Sequence, residues 1–195
     1  AGDLKKNLFS ENDTTDFPIS LYAATKKNNE ILAHFYAKNY KIKIIGIRFF
    51  TVYGPLGRPD LSIFKFANAI QKKTTIKVNN FGNHYRDFTF INDAVLCVFK
   101  LLQLKNFHKV DEKKNKYFQI FNLGGGKKIK ITKLISVLEK LLKKKAKIAL
   151  GPLKKGDIIS SQSNIIKLRR NIKYFPNTAL ETGLKKFVSW FLKNI

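Results

Sequence analysis

An α/β fold follows from three features of the chain. Runs rich in β-branched and aromatic residues alternate with runs of helical period. Two of the strand candidates, KIKIIGIRFF and YFQIFNLGGG, are short Ile- and Phe-rich stretches whose length and composition fit buried parallel strands better than helices. Both lead into glycine-bearing loops, and ligands bind at such carboxyl ends in an open α/β sheet.

Taken in order, Ala1 to Ser20 is polar and turn-rich and contains Pro18, so it is expected to be a surface connection in which Asp16 or Ser20 caps the first helix. That helix should run from Leu21 to about Asn39. Tyr22, Lys26, Asn29 and Ala33 fall along one stripe, and Ile31, Leu32 and Phe35 are expected to supply its apolar contacts. After the strand Lys41 to Phe50, the segment Thr51 to Asp60 (TVYGPLGRPD) reads as a loop whose path is fixed by its glycines and prolines. Ser62 to Lys72 has a helical pattern, Thr74 to Val78 is a short strand candidate, and Asn79 to Asn83 reads as a turn. RDFTF, from Arg86, follows as a strand, and INDAVLCVFKLLQL as a helix. The lysine-rich stretch Lys105 to Lys116 is expected to be a solvated loop.

Tyr117 to Gly126 is the second buried strand with its glycine turn, and Thr132 is placed to cap the helix from Lys133. AKIAL, from Ala146, is a short strand before the loop GPLKKGD. The chain closes in a helix from Ala179 to Asn194, where Phe187, Trp190 and Phe191 make an apolar stripe. Phe49, Phe50 and Phe66 read as core. Asp87 and Asp93 read as a turn residue and a helix cap rather than a catalytic dyad.

The 195 residues, 44% of them hydrophobic and 13% aromatic, suffice for a single packed core and exclude disorder. No apolar run is long enough to span a membrane, and the acidic opening residues resemble no signal or transit peptide, so a cytoplasmic location is the expectation. The single cysteine, Cys97, sits in an apolar run and is expected to be buried. His34, His84 and His108 lack metal-ligand spacing and receive no role. A formal charge of +25 raises a polyanion partner as a competing class of function. Its distribution argues against nucleic acid: Arg48, Arg58, Arg86, Arg169 and Arg170 are the only arginines, the lysines are scattered through every segment, and no nucleic-acid module is present. The chain contains no methionine and opens in the loop-like AGDLKKN, so it is read as a piece of a longer protein.

The chemistry centres on Tyr22 and Lys26. Four residues apart in a helix, they share one face, and an ammonium beside a phenol stabilises the phenolate, so Tyr22 is equipped to act as a base. The YxxxK spacing alone is weak, and a surface pair is the competing reading. The downstream segments change that weighting. LYAATKKNNE, RFFTVYGPLGRPD, RDFTFINDAV, FNLGGG and GPLKKGD, in this order, resemble the extended short-chain dehydrogenase/reductases, the NAD-dependent epimerase/dehydratase family, and within it most of all the UDP-glucuronate 4-epimerases.

That resemblance covers essentially the whole chain and implies the C-terminal half of a Rossmann-like parallel sheet with a smaller substrate-binding α/β region. Residues 1–60 would be the latter part of the NAD-binding domain and 61–195 mainly the substrate region, with strands near 86–90 and 117–123 returning to the Rossmann sheet. The N-terminal half, with its glycine-rich pyrophosphate loop, is not in this sequence, and FNLGGG reads as a structural turn instead. The family's catalytic Ser or Thr would fall just before Ala1, in a segment like SSxxYG, with Ala1 standing in place of that tyrosine.

By the same resemblance Tyr22 removes the proton from a sugar C4 hydroxyl as hydride passes to NAD, giving a 4-keto intermediate, and Lys26 also contacts the nicotinamide ribose. Arg58 would hold the C6 carboxylate of a UDP-sugar bidentately, and Thr51 would add a hydroxyl contact. Arg86 would contact the diphosphate and Asp157 a ribose, in a loop with lysines at 154 and 155 where family members often carry Gln-Pro. A surface salt bridge or a hydrogen bond that pins the loop is the competing reading for both arginines. A homodimer is expected for the full-length protein, and catalysis is not expected of this chain alone. Another sugar-nucleotide epimerase or a 4,6-dehydratase is the alternative activity, and a basic, non-enzymatic polyanion binder the alternative class.

Overall fold

The computed structural model describes residues 8–104, 116–154 and 157–195. Except for Lys116, the expected lysine-rich loop lies outside the described residues, as do positions 1–7 and 155–156.

Helix α1 (Leu21–Tyr40) starts where the backbone N–H of Ala23 donates to Ser20 Oγ at 3.1 Å, so Ser20 is the cap. Asp16 instead pairs with Lys27 at 2.8 Å. Only Ala23 and Ala37 of this helix are buried, and their small side chains are what it turns to the sheet. The expected apolar contacts of Ile31, Leu32 and Phe35 are not made, because all three are about half exposed. The cause is phase: at 3.6 residues per turn Leu32 lies half a turn round from Ala23. On the outward face Phe35 meets Tyr36 edge-on, and Tyr36 stacks on Tyr40 with ring centroids 5.6 Å apart.

Strand β2 (Ile44–Phe49) pairs in parallel with β6 (Phe118–Leu123), Ile44 opposite Phe118 and Phe49 opposite Leu123. A parallel strand was expected here, and it is found; the full burial is not. Residues of β2 are half-buried and Phe49 is 54% exposed, because β6 is the only strand beside β2 among the described residues. Phe50 and Phe66 are partly buried, Phe66 against the larger core.

The first residues of the expected loop form a further strand, β3 (Thr51–Tyr53), parallel to β5 (Tyr85–Phe90). On its other side β5 runs antiparallel to β7 (Lys128–Lys130). Two parallel pairs complete the strands, β4 (Thr75–Val78) with β8 (Lys147–Leu150) and β1 (Leu8–Phe9) with β9 (Gln162–Ser163). The opening connection therefore contains a strand. Segments of two or three residues are too short for hydrophobic periodicity to register.

Helices α2 (Ser62–Gln71), α4 (Ile131–Leu142) and α6 (Leu180–Asn194) pack around the larger core, where Phe64, Leu134, Leu138, Phe187 and Phe191 meet. Phe187 and Phe191 of the expected stripe are buried and Trp190 borders them. Because α4 begins before the expected Lys133, Thr132 lies within its first turn and does not cap it. Helices α3 (Ile91–Leu102) and α5 (Ile166–Ile172) form a second core with β6 around Phe121 and Leu168. Cys97 is buried there, and burial pushes its thiol up to about 12.

Two buried carboxylates tie these layers together, and neither caps a helix. Asp87, fully buried in β5, accepts hydrogen bonds from Gly125 N at 2.7 Å, Gly126 N at 3.1 Å, Ser163 N at 2.8 Å and the Ser163 hydroxyl. Asp93, in the first turn of α3, accepts from the Tyr174 hydroxyl and from the backbone N–H groups of Asn177 and Thr178. The turn-and-cap expectation fails because each carboxylate serves backbone donors far along the chain.

Asp87→Ala would take the acceptor from the N–H groups of Gly125 and Ser163, while the Gly126 N–H would keep Ser163 Oγ at 3.2 Å, and we expect a loss of unfolding free energy of about 2 kcal/mol or more in urea titrations. The exposed Asp60→Ala should leave the midpoint unchanged.

Candidate active site

The first turn of α1 is held in place from both ends of the contact. Ser20 caps it, and Arg48 of β2 forms a forked pair with Glu30 of α1, Nε to Oε1 at 2.7 Å and a terminal nitrogen to Oε2 at 2.9 Å. Such a planar fork fixes direction as well as distance. Tyr22 and Lys26 project from the helix so held. The Lys26 ammonium lies 5.5 Å from the Tyr22 ring centroid, and Tyr22 is 72% exposed.

Tyr22, Thr51 and Arg58 line one groove of about 740 Å³ between the start of α1, the end of β2 and α3. Its remaining walls are mainly apolar, with Phe49, Val95 and Phe99 among them. A concave, apolar site with a few convergent polar groups is the usual form of a small-molecule pocket. Arg58 forks onto Asp60 two residues away, Nε to Oδ1 at 2.9 Å and a terminal nitrogen to Oδ2 at 2.5 Å. That hydrogen-bonded pairing holds the Asp60 carboxyl below the usual range. Asp60 thus occupies the same fork that a ligand carboxylate would use. In the same loop Leu56 has φ +59°, a left-handed conformation that costs a branched side chain free energy.

Arg86 and Asp157 do not line this groove; they pair with each other. One Arg86 nitrogen donates to Asp157 Oδ1 at 2.8 Å, and the other donates to the carbonyls of Tyr85 and Ile158. Asn79 donates to Asp157 Oδ2 at 3.3 Å. His84, buried beside them, brings Nε2 to 3.7 Å from Asp157 Oδ2, beyond hydrogen-bonding distance, and that nitrogen has no partner. Burial and then the Arg86 cation hold the His84 pKa below its ordinary value, against the opposing pull of Asp157.

Sequence reasoning missed His84, Asn79 and Asp60. A signal for His84 did exist: it stands two residues before Arg86 at the entry to a strand, the spacing that puts side chains on one face. The glycine turn after β6 is not free for a phosphate, because the N–H groups of Gly125 and Gly126 both point at Asp87. Among the described residues, no group of three or more His, Cys, Asp or Glu side chains is placed to hold a metal, and no helix is long and apolar enough to cross a membrane.

Residues 1–124 match the model of the NAD dependent epimerase/dehydratase family. Arabidopsis thaliana UDP-glucuronate 4-epimerase 5 is 46% identical over 191 residues, which are 94% of this chain and 44% of that protein. Protein CapI of Staphylococcus aureus is 38% identical over 193 residues, 95% of this chain and 58% of its own length. The crystal structure of the Bacillus cereus UDP-glucuronic acid 4-epimerase in complex with UDP-glucuronic acid and NAD superposes with a TM-score of 0.86 at 29% identity, covering 98% of this chain and 58% of that one. The chain spans about half the length of the curated relatives it matches.

The depressed His84 pKa carries a sign that can be checked. The folded state keeps the imidazole neutral while the unfolded chain takes up a proton. Its contribution is therefore present above the unfolded value of about 6.5 and is lost as pH falls through the folded one. Urea titrations at stepped pH from neutral to mildly acidic should show falling stability, and His84→Gln should flatten that slope.

Proposed function

This chain belongs to the NAD dependent epimerase/dehydratase family, and from that premise we propose that it is the sugar-binding and proton-handling part of a UDP-glucuronate 4-epimerase. The observation that carries the proposal is the groove that gathers Tyr22, Thr51 and Arg58, with Lys26 beside Tyr22. A base, its neighbouring cation, a hydroxyl and a guanidinium are the groups that proton abstraction beside a carboxylate-bearing sugar requires.

The residues present fit the nicotinamide end of NAD. An exposed phenol and ammonium at the rim of an apolar groove suit a ribose and a flat ring. The dinucleotide phosphates would be held by the part of the relatives' fold that these 195 residues do not span. When bound, NAD supplies the hydride acceptor and donor for carbon 4 of the sugar. Tyr22, as phenolate, takes the proton from the C4 hydroxyl oxygen and returns it to the opposite configuration. Lys26, its ammonium 5.5 Å from the Tyr22 ring centroid, contacts the nicotinamide ribose, and Thr51 orients the sugar by a hydroxyl hydrogen bond.

Arg58 takes the C6 carboxylate, for which Asp60 has to release the fork. Arg86 contacts the diphosphate and Asp157 a ribose. Residues 1–60 then complete the nucleotide-binding domain and 61–195 mainly the sugar region, in a protein that works as a homodimer in the cytoplasm. This chain alone does not turn substrate over.

The test joins the chain to the nucleotide-binding half of a relative and follows UDP-glucuronate by chromatography. UDP-galacturonate should form, and only from the joined protein. Tyr22→Phe should lower kcat by about 10²- to 10⁴-fold, the range of general-base catalysis, without loss of fold. Arg58→Ala should raise KM for UDP-glucuronate far more than for UDP-glucose. A 4-keto-6-deoxy product would replace this reading with a dehydratase, and DNA binding without nucleotide-sugar binding would replace it with a polyanion binder.

A further inference from the structure

We propose that His84 is a positioning residue that takes over Asp157 when a nucleotide diphosphate takes Arg86, so that ligand binding draws a proton from solvent onto the imidazole. The inference rests on the reading of Arg86 as the diphosphate contact.

In the structure both terminal nitrogens of Arg86 are engaged by protein, one on Asp157 and the other on the Tyr85 and Ile158 carbonyls. A diphosphate that engages Arg86 has to compete with Asp157 for it. The Asp157 side chain is 28% exposed, so a carboxylate left with Asn79 and a ribose hydroxyl as its donors would be largely out of water with no cation beside it. A replacement lies within reach. His84 is a buried imidazole whose Nε2 has no hydrogen-bond partner and points at the same carboxylate from 3.7 Å. A movement under 1 Å would convert that approach into a charge-assisted hydrogen bond.

The two cations are therefore alternatives for one carboxylate. The charged groups acting on His84 are Arg86 from its own strand and Asp157 from the facing loop. Across the sheet, β7 brings Lys128 and Lys130 alongside Asp87 and Tyr85, and the N–H of Ile131 donates to the His84 carbonyl. While Arg86 holds Asp157, the neighbouring guanidinium opposes protonation of the imidazole. Once phosphate neutralises Arg86, that opposition falls and Asp157 rewards the cation. The proton comes from solvent and no covalent bond changes. The outcome is a site that binds nucleotide more tightly as pH falls towards the ordinary histidine pKa of about 6.5.

Calorimetric titration with UDP-glucose, whose diphosphate has no terminal phosphate to titrate near that pH, in buffers of different ionisation enthalpy, counts the protons exchanged. We expect a net uptake of a fraction of a proton per UDP-glucose in the wild-type chain, and none in His84→Gln or Asp157→Asn. Binding without uptake, or uptake that survives in His84→Gln, overturns the inference and leaves the nucleotide site standing. Absence of UDP-glucose binding overturns both. A second measurement needs no ligand: the His84 ring resonances should titrate at higher pH in Arg86→Gln than in the wild type, and the rise should be lost in Arg86→Gln/Asp157→Asn. A midpoint that Arg86→Gln does not move, or a rise that persists in the double variant, overturns the inference as well.

Discussion

The fold turns on the carboxylate of Asp87. It is fully buried in the central strand of its sheet and receives hydrogen bonds from the glycine turn after β6 and from the backbone and hydroxyl of Ser163. Burying a charge is costly, and only a full shell of donors offsets it. The shell dictates composition nearby. A Cβ at Gly124 would run into the Ser163 side chain and into Asp87 itself, so the turn can close on the carboxylate only with glycine there. It also dictates direction. Side chains alternate across a strand, so the burial of Asp87 among these donors turns Arg86 to the opposite face, where it meets Asp157.

The candidate site depends on a second constraint, the fork between Arg48 and Glu30. It sets the rotation of α1 against β2, placing Ala23 and Ala37 inward and Tyr22 at the groove. The same rotation leaves Leu32, Phe35 and Tyr36 facing outward. These residues, with the strand edge of β2 that has no neighbour among the described residues, leave apolar surface exposed beside the groove-forming elements.

Where the sequence was informative, the information was local. Helices α1, α2, α3 and α6 begin within a residue of where their helical pattern put them, and β2 and β6 are parallel strands as expected, though that they pair with each other was not legible in either run. The Tyr22 and Lys26 pairing on one face follows from a spacing of four residues and nothing more. The short strands β1, β3, β7 and β9 were not legible, because each is too brief to show alternation. The roles of Asp87 and Asp93 were misread because their partners are contributed by other elements.

By itself the sequence determined the α/β order, where the helices α1, α2, α3 and α6 begin and the face that Tyr22 shares with Lys26, since all of these arise within one turn or one strand of the residue concerned. Only the tertiary structure decided that Arg86 pairs with Asp157 across 71 positions, that His84 waits unpartnered beside them, and that the apolar stripe of α1 looks outward. Those outcomes depend on where the chain returns after its loops, and the energy that fixes the return comes from satisfying a few buried polar groups rather than from any property of the local sequence.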